Sequence, residues 1–186
     1  MLVRNITVLM MCALLFACGA KNDGAPGGAA NVGPNGEPVK EMALNSGIMT
    51  FTGDFKKTVK LDASKKDEIF CGLTADKTRM SLSARRRVSE KFWPEGFSVV
   101  IPAKTDLNST LTYTATEKTD ITVYIGVYPE TGIWFARSCS ISLSRVKKVL
   151  NAVIDCPQVN DLSQPASKPR TSRLIAQISC STKNID

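Results

Sequence analysis

An all-β fold, an antiparallel β-sandwich of roughly nine or ten strands with little or no helix, is what this sequence predicts from three observations. Beyond residue 45 the apolar residues recur with a period of two rather than 3.6. Thr, Ser, Val and Ile dominate those stretches, and such residues suit a pleated, half-buried surface. Turn-forming clusters interrupt the alternation at a spacing of roughly 8–14 residues.

Three short runs come first, at 48–53, 58–61 and 68–71, and Thr52-Gly53-Asp54 closes the first with a turn. Met80, Leu82 and Ala84 alternate with polar residues and predict a fourth strand. Residues 84–93, with Val88 and Phe92 four apart, suit a helical turn or an irregular loop ended by Pro94 and Gly96. Strands at 97–101 and 110–114 follow. Ile121, Val123, Ile125 and Val127 then alternate with Thr122, Tyr124, Gly126 and Tyr128, which places Tyr124 and Tyr128 on an outer face. After the turn Pro129-Glu130-Thr131-Gly132, one face collects Ile133, Phe135, Arg137, Cys139, Ile141 and Leu143. Leu150, Ala152, Ile154 and Cys156 form the next face, and Leu174, Ala176, Ile178 and Cys180 the last. Residues 159–171 hold two prolines and no rhythm, so they read as a long crossing loop. The domain 46–186 spans 141 residues (186 − 45), enough for a core of its own.

The start of the chain reads as an address. Arg4 precedes an apolar run over residues 6–17, which at 12 residues is shorter than the ~20 needed to cross a bilayer as a helix. That layout suits a secretory signal peptide over residues 1–17. Leu15-Phe16-Ala17-Cys18 resembles the lipobox of bacterial lipoproteins, with Phe16 where that pattern usually has a small or β-branched residue. The resemblance implies diacylglycerol on the Cys18 thiol and cleavage before Cys18; plain cleavage after Ala20 is the alternative. Residues 19–38 hold six of the twelve glycines and three of the nine prolines, which makes 18–45 a lipidated cysteine with a flexible tether. Residues 19–45 would reach roughly 30 Å. Gly19 follows the cysteine, where many inner-membrane lipoproteins have Asp. By that resemblance the protein is exported and held at the outer membrane of a Gram-negative bacterium.

Four of the six cysteines remain in the domain: Cys71, Cys139, Cys156 and Cys180. An even number in an exported domain implies two disulfides. A hairpin about Lys147-Lys148 makes opposed residue numbers sum to about 295, so Cys139 faces Cys156 and Cys71 is left for Cys180. Directly opposed cross-strand bonds are geometrically demanding, so Cys71–Cys139 with Cys156–Cys180 stays open. No Cys-x-x-Cys pair exists, and no metal or cofactor is expected.

The chain contains no histidine, which excludes Ser-His-Asp and Cys-His nucleophiles and His-ligated zinc. Gly-rich phosphate loops are missing, and Ser144 with Lys147 matches SxxK in a hairpin rather than at a helix start. Asp62, Asp67, Glu68 and Asp76, scattered among lysines, read as solvated surface. From residue 46 on there are 21 basic and 14 acidic residues, a net charge of +7. Arg85, Arg86, Arg87 and Lys91 make one basic cluster, Arg145, Lys147 and Lys148 a second, and Lys168, Arg170 and Arg173 a third. Such a surface suits an anionic lipid, glycan or envelope protein, with no nucleic acid expected outside the cytoplasm. The expected function is a non-enzymatic binding, adhesion or structural module. A glycan hydrolase with paired carboxylates and an accessory subunit of a secretion or assembly machine are the alternatives.

Overall fold

The computed structural model describes residues 42–88, 94–128, 132–165 and 170–186. Cys18, the apolar run and the tether to residue 41 lie outside the described residues, as do Lys91, Phe92, Trp93 and Lys168.

The described chain forms ten strands: β1 Ser46–Gly53, β2 Lys57–Asp62, β3 Glu68–Leu73, β4 Arg79–Arg86, β5 Glu95–Pro102, β6 Thr110–Thr114, β7 Thr122–Val127, β8 Gly132–Val146, β9 Val149–Asp161 and β10 Thr171–Ser181. All pair antiparallel in one continuous sheet of order β2-β1-β10-β9-β8-β7-β5-β4-β3, with β6 also on β8. The all-β fold therefore stands. Its two layers are the halves of one sheet coiled over until the ends meet, an arrangement close to a closed barrel. Closure leaves few open edges, which protects a sheet from edge-to-edge association.

The sole helical element among the described residues is a 3₁₀ turn, Ala63–Lys65. The Asp62 side chain caps it by accepting the Ser64 N–H at 2.9 Å, and that bond holds the Asp62 carboxyl below its ordinary range. Where β1 crosses β4, the layers approach closely because both residues are small. A Cβ on Gly47 would lie 2.5 Å from the Ala84 Cβ. Met49, Leu61, Leu82, Val99, Ile141 and Ile154 are completely or almost completely buried between the layers. Each such aliphatic side chain stabilises the fold by about 1.5–3 kcal/mol relative to exposure.

Two disulfides cross-link this sheet. Cys139–Cys156 joins β8 to β9 with Cα atoms 4.1 Å apart, and Cys71–Cys180 joins β3 to β10, with Cα atoms 6.0 Å apart. The β8–β9 hairpin runs in the register Leu143↔Ala152, Ile141↔Ile154, so Cys139 meets Cys156 directly. Beside the second bond, Gly72 bridges to Asn184 in parallel, which ties β3 to the C-terminal turn.

Several expectations need correction. Ala84, Arg85 and Arg86 belong to β4 rather than to a helical turn, because Ala84 and Arg85 pair with both β3 and β5 and Arg86 pairs with Glu95 of β5. Residues 159–161 extend β9 and Thr171 starts β10, so neither stretch belongs to a crossing loop. Asp67 is buried, not solvated. The largest correction concerns β8. Trp134 and Ala136 are buried while Phe135 and Arg137 are exposed, yet farther along Cys139, Ile141 and Leu143 are buried. Register shifts between Ala136, Ser138 and Ser140 exchange the two faces, and Pro157, which cannot donate to a ladder, sits opposite in β9.

Candidate functional site

The sheet closes over a chain of buried charge. Arg86 Nε donates to Asp67 Oδ1 at 2.9 Å and its Nη2 to the Lys60 carbonyl at 2.8 Å, while Nη1 stands 3.8 Å from Glu95. Lys57 meets Glu95 at 2.9 Å and also donates to the Tyr128 carbonyl. The Asp67 and Glu95 side chains are 2% and 8% exposed, so these carboxylates depend on their cations. The Arg86 guanidinium holds Asp67 below the ordinary carboxylate range, against the opposing effect of burial. Farther round the sheet, Arg170 bonds the fully buried Asp161 at 2.6 Å and covers the rings of Phe55 and Trp134. Burial alone would raise the Asp161 pKa; the Ser163 hydroxyl and N–H, together with Arg170, outweigh it and lower it.

The basic residues singled out in the sequence are thus distributed among separate partners. Arg86 serves the closure, Arg85 meets Glu68 at 3.1 Å across β3 and β4, and Arg145 at the β8–β9 tip meets Asp186 at 2.6 Å. Lys147 and Lys148 are exposed at that tip, and Arg87 is exposed just after β4. Arg173 pairs with Asp155 at 2.7 Å. Of the residues singled out, the structure brings only Arg85 and Tyr124 together around a cavity.

That cavity, of about 660 Å³, lies where β8 changes partner. β7 pairs with β8 only through Ile125, Gly126 and Val127, and β6 takes over at Ser138. The stretch Thr122–Tyr124 stays on β5 and parts from β8. The resulting fork is lined by Val123, Tyr124 and Ile125 of β7, Trp134 and Phe135 of β8 and Tyr113 of β6. Across the neighbouring strands, Arg85, Gly96 and Gly126 stand in one row, and the Pro94 carbonyl oxygen lies over Gly126, 2.3 Å from where a Cβ would be. Gly96 has φ +139°, and a Cβ there would meet the Ala84 carbonyl oxygen at 2.1 Å, so the position admits only glycine. Tyr124, Phe135 and Leu162, three large exposed apolar side chains, line the cavity.

Chemically, the wall is apolar and aromatic, with hydroxyls at Ser98, Thr122 and the tyrosines, and with Arg85 as the one ionisable cation among the described lining residues. Two buried side-chain nitrogens among the described residues find no hydrogen-bond partner, Arg85 Nε and Trp134 Nε1. Both belong to residues that line this cavity. An unmet buried donor costs about 1–3 kcal/mol, and such groups in native proteins need an explanation.

Trp134, Phe135, Ser98 and the glycine row escape a reading of the sequence because the assumed alternation puts Phe135 inside and Trp134 outside. The available signal is Pro157 in the middle of an otherwise apolar strand, which marks a bulge. Comparison with protein-family models, characterised proteins and solved structures gives no match.

Proposed function

We propose that this chain is an exported, lipid-anchored envelope protein whose β-domain binds a partner without transforming it. The observation that carries the binding reading is the aromatic cavity at the β7–β8 fork, with its apolar wall and, among the described lining residues, a single cation. The resemblance of Leu15-Phe16-Ala17-Cys18 to a lipobox supports the anchor, and two disulfides are what an oxidising compartment makes. The outer membrane of a Gram-negative bacterium is the proposed location, and the cell envelope supplies anionic lipids, glycans and proteins as partners.

The hydrolase reading requires a carboxyl group held protonated as a general acid. Asp67 and Asp161 are both shifted the opposite way, and Arg86 stands between the buried carboxylates of Asp67 and Glu95. The cavity lining contains no carboxylate among the described residues. Binding is therefore the better-supported activity.

Metabolic labelling with a palmitate analogue tests the anchor. The wild-type chain should take up label and sediment with membranes, and Cys18→Ser should abolish both. Label and sedimentation unchanged in Cys18→Ser would remove the anchor.

A further inference from the structure

We infer that the end of the domain where the tether joins it docks on a bilayer surface rich in anionic phospholipid. The inference rests on the anchored reading above and names the surface that faces the membrane.

Asn45, the residue just before β1, ties three turns together at that end. Its carbonyl accepts the Ala63 N–H at 3.1 Å, from the turn between β2 and β3. Its side-chain oxygen accepts the Ser181 N–H at 3.3 Å, where β10 ends. The adjoining Thr182 N–H donates to the Lys148 carbonyl at 3.0 Å, which brings in the β8–β9 tip. Ser46 Oγ donates to the Ala43 carbonyl at 2.5 Å, so the incoming chain is held against this end from Ala43 onward.

Each of the three turns contributes exposed lysines: Lys65 and Lys66, Lys147 and Lys148, and Lys183. The side-chain carboxylates of the same turns are Asp62, which caps the 3₁₀ turn, and Asp186, which meets Arg145 at 2.6 Å. The lysines outnumber them. Leu44 and Val146 stand at this end too, 54% and 53% exposed. Lysines around exposed aliphatic side chains suit a headgroup layer, where cations meet phosphate and apolar groups enter the acyl boundary. A polyanion in water would engage the cations and leave Leu44 and Val146 in solvent. A tether with a reach of roughly 30 Å keeps this end close to the membrane, so even a weak contact is populated.

The test mixes the full chain carrying Cys18→Ser with vesicles of phosphatidylcholine, alone or with phosphatidylglycerol, and reads co-flotation. Neutral vesicles give the background from the apolar run at residues 6–17. Mixed vesicles should bind more tightly. Lys147→Gln/Lys148→Gln/Lys183→Gln should lower that gain about tenfold or more, since each lysine at an anionic surface is worth about fivefold. Lys56→Gln/Arg87→Gln/Arg137→Gln, a charge-matched control in exposed residues, should bind as the parent does. Lys56 lies past the far end of β1, roughly 25 Å from Asn45 at about 3.4 Å per residue. Equal binding to both vesicle types, an unchanged gain in the triple-lysine variant, or an equal loss in the control overturns the proposal. Should the triple-lysine variant melt below the parent, amine acetylation of the parent chain gives the second test. Mixed vesicles should then protect Lys65, Lys66, Lys147, Lys148 and Lys183 relative to Lys56, and uniform labelling refutes the docking face. Palmitate labelling reads Cys18 separately, so a labelled protein that ignores anionic vesicles keeps its anchor and loses this face.

Discussion

Removing Cys71–Cys180 should weaken this fold more than removing Cys139–Cys156. The outer bond joins residues 109 apart, and the inner bond joins residues 17 apart inside that loop. With the inner bond intact, the outer loop has an effective length of 92 positions (109 − 17). In the chain-entropy account a loop of that size is worth about 4.6 kcal/mol and one of 17–18 residues about 3 kcal/mol. All four cysteines are buried, so replacement by alanine adds a similar packing cost to each pair. The difference of about 1.5 kcal/mol therefore reflects loop length. Urea unfolding of Cys71→Ala/Cys180→Ala and Cys139→Ala/Cys156→Ala, compared through midpoint and m-value, reads it directly. The outer pair also joins the two halves of the coiled sheet, so its loss should leave β8–β9 pairing in place while loosening β3 from β10. Equal losses, or a greater loss for the inner pair, would refute this reasoning.

Asp67→Asn should lower Tm at pH 7 by the equivalent of about 1–3 kcal/mol, discounted because Arg86 is partly in water. Because Asp67 is lowered in the folded state, its contribution is intact above the ordinary carboxylate pKa of about 4 and disappears as pH falls through the folded value. Thermal melts between pH 6 and about 2 should show a steeper loss in the wild type than in Asp67→Asn, and parallel curves would contradict the assignment. Gly96→Ala should cost about 3 kcal/mol, from a backbone conformation closed to alanine and a Cβ driven against the Ala84 carbonyl. An unmoved urea midpoint would show that the close approach of β5 to β4 does not need glycine at that position.

All ten strands were legible in the residues, since period-two alternation is a local property that each segment carries by itself. The facing of Cys139 and Cys156 was legible too, because hairpin register follows from a tight turn at Lys147-Lys148, where Lys147 takes φ +54°. The double irregularity in β8 and β9 was hidden. Trp134↔Asp161 and Ile141↔Ile154 give the same sum of 295, so the register on either side of it agrees while the faces exchange. Asp67 resembled a surface residue because its rescuing cation, Arg86, is 19 positions away along the chain.

Sequence alone therefore determined the class of the fold and its strands, and it favoured one cross-link without excluding the rival pairing, all through local alternation and hairpin register. Tertiary structure decided which strands end the sheet, which carboxylates are buried, and where β8 leaves β7 for β6. Those outcomes depend on how far the whole sheet twists and coils before its ends meet, and no single segment contains that quantity.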